Sequence, residues 1–178
     1  ETDNNITKDF NKKHPDIPRF KNKEDLLENK EIELVLIADI PVKRASLAIE
    51  CMNAGKDVML DKPGCTTIEQ LKEIENTTKK TGKIFSIDFS ERFEVPSVQV
   101  AYDLIQAGEI GDVVQTIGMG PHRLNIQTRP DWFFDYDQYG GILCDIASHQ
   151  IDQFLFFTGS KNVEIINSST GNFSNPEH

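Results

Sequence analysis

The amino-acid sequence predicts an α/β fold built on a parallel sheet, and three observations lead to that prediction. An unbroken apolar run at residues 34–38 has the character of a strand that is buried on both faces. Strand and helix patterns then alternate as far as residue 89, which requires crossover connections and therefore parallel strands. The composition, 38% hydrophobic and 27% charged residues over 178 positions, is that of a globular chain with a core.

The first elements follow a polar N-terminal stretch. A short helix is predicted at Glu24–Glu28, and the apolar run Leu34–Ala38 is the first strand. A helix from Val42 to Asn53 comes next, because Ala45, Ala48, Ile49 and Met52 recur at helical spacing. Gly55 stands where the C-cap of that helix belongs.

Two further strands and one helix complete this half of the chain. The second strand is predicted at Lys56–Leu60 and the third at Ile84–Phe89. Between them a helix opens at Thr66, which forms a capping box with Glu69, and ends at Gly82. Three strands and two crossover helices amount to about half of a doubly wound domain.

The pattern changes after the third strand. The sequence predicts a helix from Pro96 to Gly108, a strand at Val113–Ile117 and a second helix at Ile142–Phe157. Between the last two lies a long loop, residues 118–139, and a loop of that length in a compact domain is usually functional. A final strand begins at Val163–Ile166.

The change of pattern places a domain boundary near Ser90–Arg92. We therefore expect one domain over residues 1–91 and a second over residues 92–178.

Composition excludes several classes of function. The net charge of −10 and the lack of a basic patch argue against a nucleic-acid partner. No apolar run reaches the length of a membrane span, so no membrane partner is expected. Three widely spaced cysteines form neither a disulfide framework nor a metal motif, which favours a reducing, cytoplasmic compartment.

The first candidate site is the tripeptide Asp61-Lys62-Pro63, directly after the second strand. Ligands of parallel sheets bind beyond the carboxyl ends of the strands, and Lys62 there can hold a substrate oxygen or a ribose. Pro63 restricts the preceding lysine to extended geometry. The alternative is an exposed turn with a solvated lysine.

The second candidate lies on the helix after the long loop. Asp145, His149 and Asp152 are spaced by four and three residues, so a regular helix presents them on one face. A carboxylate one turn away can fix the tautomer of His149 or raise its pKa, as a general base near neutral pH requires. The alternatives are a partly buried structural histidine and a metal site, for which no third ligand stands at a recognised spacing.

The third candidate is the loop itself, with weaker support from two strand ends. Arg123, Arg129 and Trp132 suit a polyhydroxylated or anionic ligand, through guanidinium hydrogen bonds and indole stacking. The alternative is a loop pinned to the core by its aromatic residues. Pro41 and Arg92 each follow a predicted strand, at the edge where a ligand is expected.

Taken in order, these motifs resemble the Gfo/Idh/MocA family of NAD(P)-dependent oxidoreductases. The segment Ala54–Pro63, AGKDVMLDKP, is similar to the family's motif that ends in Glu-Lys-Pro, with Asp61 in place of the glutamate. Gly140–His149 is similar to the family's GGxxxDxxxH, and Leu104–Gly111 adds support. The resemblance extends over essentially the whole chain.

The resemblance implies a partial Rossmann domain followed by the start of a C-terminal α/β domain with an open sheet. It also implies hydride transfer between NAD or NADP and a carbinol of a sugar, inositol or related polyol. Lys62 then contacts the nicotinamide ribose and substrate, His149 is the acid/base, and Asp145 is the carboxylate beside it. The cofactor cleft would be lined by Pro41, Asp61, Pro63 and Arg92. Family members commonly form homo-oligomers through the sheet face.

The family's glycine-rich phosphate turn does not occur in this sequence, and its strand-ending acid has only a faint match in Glu1 or Asp3. We therefore expect a central fragment of a dehydrogenase that is inactive by itself. Two alternatives stay open. One is a non-catalytic binding or sensor protein on the same fold, and the other is a metal-dependent hydrolase that uses Asp145 and His149.

Overall fold

The structure is a computed structural model that describes residues 4–120 and 122–172. The chain divides into two compact units, residues 1–33 and residues 34–178. In the first unit, α1 (Asn4–Lys13) and α2 (Lys23–Glu28) form, which confirms the predicted short helix. Glu1 and Asp3, the matches for the strand-ending acid, lie outside the described residues.

The second unit contains a three-stranded parallel sheet in the order β1 (Leu34–Ile37), β2 (Asp57–Asp61) and β3 (Phe85–Asp88). Ile37 is in register with Leu60, and Leu60 with Ile87, so the carboxyl ends of the strands meet at one edge. The predicted parallel α/β fold is confirmed.

Two helices connect the strands and cover the sheet. α3 (Pro41–Asn53) begins at a proline, whose missing N–H is not needed at a first helical position, and α4 (Ile68–Thr81) ends at a left-handed glycine. The core between them consists of apolar side chains: Ala45, Ala48, Met52, Val58, Leu60 and Ile74.

The capping box of α4 lies one residue later than the sequence predicts. Thr67, not Thr66, is the N-cap, and its hydroxyl accepts a hydrogen bond from the Gln70 amide. The Gln70 side-chain oxygen accepts from the Thr66 amide, so Gln70 has the role predicted for Glu69.

After β3, the regular elements of the described chain are all helical. They are α5 (Ser90–Phe93), α6 (Pro96–Gln106), 3-10 turns at Ile126–Thr128 and Asp131–Phe134, α7 (Tyr136–Tyr139), a π-helical segment (Leu143–Ala147) and α8 (Ser148–Thr158). Within the described ranges, every helix is too short or too polar to cross a membrane.

Two predicted strands are wrong for the chain as the structure describes it. Residues 113–117 and 163–166 have no regular secondary structure, and Val114 and Ile166 are 94% and 93% exposed. Their apolar composition suits strands, but a strand requires a neighbour for its backbone N–H and C=O groups, and no described segment pairs with either.

Candidate functional site

An ion pair joins the end of the parallel sheet to the last helical region. The Lys62 ammonium donates to Asp145 Oδ1 at 2.5 Å and to the Asp145 carbonyl at 3.0 Å. The two side chains are 19% and 15% exposed, so water screens the pair only in part. The exposed-turn alternative for Lys62 is therefore wrong, because the side chain is directed to a fixed partner.

The elements on either side explain this contact. Lys62 directly follows β2, and Pro63 after it is buried and joined through a cis peptide bond. Asp145 lies in the π-helical segment, Leu143–Ala147. Single π turns within helices are rare and occur often at functional sites.

His149 lies one turn beyond Asp145, in the first turn of α8, and is only 4% exposed. Its ring meets the edge of Phe89, the residue after β3, with centroids 5.9 Å apart. Its Nδ1 atom is buried and finds no hydrogen-bond partner among the described residues. A buried polar atom without a partner is uncommon and calls for an explanation such as a ligand or a catalytic role.

The electrostatics of His149 differ from the prediction. We expected a neighbouring carboxylate to fix the tautomer of His149 or to raise its pKa. Burial is the largest cause and lowers the pKa of the imidazole below its ordinary value of 6.5, although Asp145 does act to raise that pKa. The attraction of Glu91 opposes this shift without reversing it, and the positive charge of Lys62 adds to the lowering. His149 is therefore uncharged at neutral pH.

Asp152, expected beside Asp145 and His149, has a different partner. Arg92 Nε donates to Asp152 Oδ2 at 2.7 Å, and the guanidinium lies over the rings of Phe93 and Phe156. This pair connects α5, at the end of β3, with α8. Arg92 thus lies at the predicted strand end, with its charge matched by Asp152.

A cavity of about 580 Å³ opens beside Asp145. Arg123 and Arg129 line it, whereas Trp132, Lys62 and His149 are not among its lining residues. Arg129 also holds the loop, since its Nε donates to the Leu124 carbonyl and its guanidinium lies over the Phe133 ring. The structure therefore brings both loop arginines to one cavity but leaves the indole outside it.

Tyr139 also lines the cavity and stays neutral. Burial, with the negative charge of Asp145 as a smaller cause, raises the pKa of its phenol to about 12.

Trp132 packs edge-on against Phe133, which is buried as expected for an anchor of the loop.

Gly140 fits tightly against the turn that follows Lys62. It has a φ of +84°, and a Cβ built there would lie 2.7 Å from Thr66 Cγ2. We expect Gly140→Ala to destabilise the protein by about 2–4 kcal/mol, from left-handed backbone strain and the collision together. Chemical denaturation measures the loss.

Gly82→Ala is the matched control for this prediction. Gly82 also has a positive φ, +66°, but nothing lies within 4 Å of its built Cβ. We expect a loss of about 1–2 kcal/mol from backbone strain alone. Equal losses at the two glycines would show that the contact with Thr66 is unimportant.

The metal alternative finds no support in the parts of the chain that the structure describes, because no three His, Cys, Asp or Glu residues there are grouped to hold an ion. The three cysteines are thiols and not disulfides, and burial raises the pKa of the Cys144 thiol beside Asp145.

One further residue near this site, Arg44, is not among those predicted from the sequence. It is 5% exposed and lies on α3 beneath the Asp61–Pro63 turn. The available signal was a charge within the apolar stripe of the helix, four residues before Ala48.

Comparison with known families gives two matches. Residues 2–89 match the oxidoreductase family with an NAD-binding Rossmann fold, GFO_IDH_MocA. Residues 98–177 match the GFO/IDH/MocA C-terminal domain.

Individual relatives agree with these matches. The chain is 31% identical over 120 residues to D-glucoside 3-dehydrogenase of Escherichia coli, covering 66% of this chain and 33% of the relative. It is 25% identical over 154 residues to scyllo-inositol 2-dehydrogenase (NADP(+)) of Bacillus subtilis, covering 86% and 42%. A crystal structure of an oxidoreductase from Erwinia carotovora atroseptica is 44% identical, with a TM-score of 0.94, and covers 100% of this chain and 53% of that one.

The chain thus spans between about a third and a half of the length of the proteins it matches.

Proposed function

The chain belongs to the GFO/IDH/MocA family of oxidoreductases, and from this premise we propose that its site transfers a hydride between NAD or NADP and a carbinol of a sugar, inositol or related polyol. The observation that carries the proposal is the Lys62–Asp145 pair next to a buried His149 whose Nδ1 has no partner among the described residues. The named relatives act on a glucoside and an inositol, which supports the substrate class.

The residues present fit the nicotinamide end of such a cofactor. The Lys62 ammonium has three N–H donors, and Asp145 uses two of them, so one remains for a ribose or substrate oxygen. The cleft would be formed by residues at the carboxyl ends of the three strands: Pro41, Asp61, Pro63 and Arg92. When bound, the nicotinamide supplies the acceptor or donor of the hydride.

Three side chains would assist the reaction, one by accepting a proton and the ion pair of the other two by stabilising the charge that develops on oxygen. In the oxidative direction the carbinol loses a hydride from carbon and a proton from oxygen, and a C=O bond forms. The neutral His149 imidazole accepts that proton. Lys62 Nζ donates a hydrogen bond to the oxygen as negative charge develops, and Asp145 holds the ammonium in place.

The cavity beside Asp145 would hold the rest of the polyol. Arg123 lines it, is exposed, and can donate to several hydroxyls at once. We expect Arg123→Ala to raise KM about tenfold with little change in kcat, because binding distant from the reacting carbon is lost. Steady-state kinetics with the best polyol measures this.

Arg129→Ala is the comparison for that result, because Arg129 also anchors the loop through Leu124 and Phe133. It should lower thermal stability as well as raise KM, whereas Arg123→Ala should leave the melting temperature unchanged. An unchanged KM in both variants would show that the polyol does not bind in this cavity.

The proposed function is tested by assaying the native gene product with NAD and NADP against a panel of sugars, inositols and sugar acids. Reduction of the nicotinamide, followed by its absorbance, is the expected result with at least one polyol. Tight polyol binding without turnover would favour the sensor alternative and contradict the enzyme.

We also propose the division into residues 1–91 and 92–178 as domains, a cytoplasmic location and a homo-oligomer. The cysteine pattern supports the location. The family resemblance supports the assembly.

A further inference from the structure

Arg44 lies in the first turn of α3 with its side chain directed into the protein, where it is 6% exposed. Its guanidinium reaches the carboxyl ends of two strands. Nε donates to the carbonyl of Asp39, two residues after β1, at 2.6 Å. Nη1 and Nη2 are directed to the end of β2.

At the end of β2, a single nitrogen of Arg44 contacts carbonyls of residues that are consecutive in the sequence, which is unusual. The two N–H groups of Nη1 face the carbonyls of three consecutive residues and share a donor between two of them: Asp61 at 2.9 Å, Lys62 at 2.6 Å and Pro63 at 3.1 Å. Successive carbonyls of an extended strand point to opposite sides, so three that converge on one nitrogen show a backbone curled around it. Nη2 adds a contact to Asp61 Oδ2 at 3.2 Å.

A charged group this well buried requires compensation. Burial lowers the pKa of the Arg44 guanidinium, and the carboxylate of Asp61 opposes that shift. The planar guanidinium with its five N–H donors can serve several carbonyls at fixed angles, which the single nitrogen of a lysine cannot do.

We propose that Arg44 is a positioning residue that fixes the backbone of Lys62, so that the lysine ammonium reaches Asp145 and the reacting oxygen. Lys62 is then held at both ends, through its carbonyl by Arg44 and through Nζ by Asp145. The catalytic part of this inference rests on the proposed function of Lys62.

The kinetic test compares Arg44→Lys in two backgrounds of the native gene product. In the wild type we expect kcat/KM to fall about tenfold to a hundredfold, the loss that a displacement of about 1 Å produces. In the Lys62→Gln background Arg44→Lys should cause no further loss, because the residue it positions is gone. The same fold-loss in both backgrounds would overturn the proposal.

One control separates positioning from general damage. Met52→Ala empties part of the core on the same helix and should lower the melting temperature without lowering kcat. Arg44→Gln gives the same two-background comparison without a buried charge, should lysine be poorly accommodated.

A second test does not depend on turnover. The coupling between Lys62 and Asp145 is measured from denaturation midpoints of Lys62→Met, Asp145→Asn and the double variant, with Arg44 and with Arg44→Lys. The coupling should shrink by at least half with Arg44→Lys, and an unchanged coupling would overturn the proposal. A reduced coupling in a protein without dehydrogenase activity would refute the proposed function, but it would leave intact the inference that Arg44 positions Lys62.

Discussion

His149→Leu is expected to lower kcat/KM by about 10²–10⁴-fold while leaving the protein as stable as before, or more stable. Activity falls because the proposed proton acceptor is lost. Stability does not fall, because Nδ1 is buried without a partner among the described residues, and such an atom costs about 1–3 kcal/mol. Kinetics and chemical denaturation of the same preparation measure both effects.

Thr77→Val is the matched control for His149→Leu. Thr77 is also buried, but its hydroxyl donates to the Glu73 carbonyl at 2.8 Å. Removal of this satisfied group should cost about 0.5–1.5 kcal/mol and leave kcat/KM unchanged. A His149→Leu protein that is active, or less stable than Thr77→Val, would contradict the role proposed for His149.

The same histidine gives a pH dependence whose sign follows from its lowered pKa. Between that pKa and the unfolded value of about 6.5, the unfolded chain binds more protons than the folded protein. The contribution of His149 to stability therefore falls as pH decreases below about 6.5, and the difference between wild type and His149→Leu isolates it. In the pH profile of kcat/KM for oxidation, the apparent pKa of the acidic limb should likewise lie below the ordinary histidine value.

Lys62→Met is expected to lower kcat/KM by about 10²–10³-fold, the typical effect of removing one donor to a developing oxyanion. It also leaves the Asp145 carboxylate, 15% exposed, without its ammonium partner. We expect a stability loss of about 1–3 kcal/mol, less than for a fully buried pair because both side chains keep some contact with water.

A second change separates the two effects of Lys62→Met. Asp145→Asn in the Lys62→Met protein removes the unpaired charge, so stability should recover while kcat/KM stays low. Lys79→Met is the control, since Lys79 pairs with Glu75 on the exposed surface of α4 and should affect neither quantity. Full activity of Lys62→Met would contradict the proposed role of the ammonium.

The sequence was sufficient for the parts of the fold whose pattern repeats locally. Strands β1 to β3 and helices α3 and α4 follow from apolar periodicity and from proline and glycine at helix ends. Lys62 and Asp145 were both identified as candidates, although their contact spans 83 positions and depends on the packing of distant elements.

Other features could not be predicted, because they depend on tertiary contacts that local sequence patterns do not report. The segments at 113–117 and 163–166 have strand composition, but strand formation depends on a partner elsewhere. The lowered pKa of His149 depends on burial, which spacing along a helix does not report. The contacts of Arg44 depend on three carbonyls that belong to another element.

The π-helical segment Leu143–Ala147 determines the angular phase between Asp145 and the helix that follows it. Each residue of a regular helix advances about 100° around the axis, so the loss of one residue from this turn would rotate His149 by roughly that angle relative to Lys62 and its partner. Substitutions preserve the phase, whereas single-codon insertions and deletions change it. The helix around His149 can therefore vary in composition during evolution far more freely than in length.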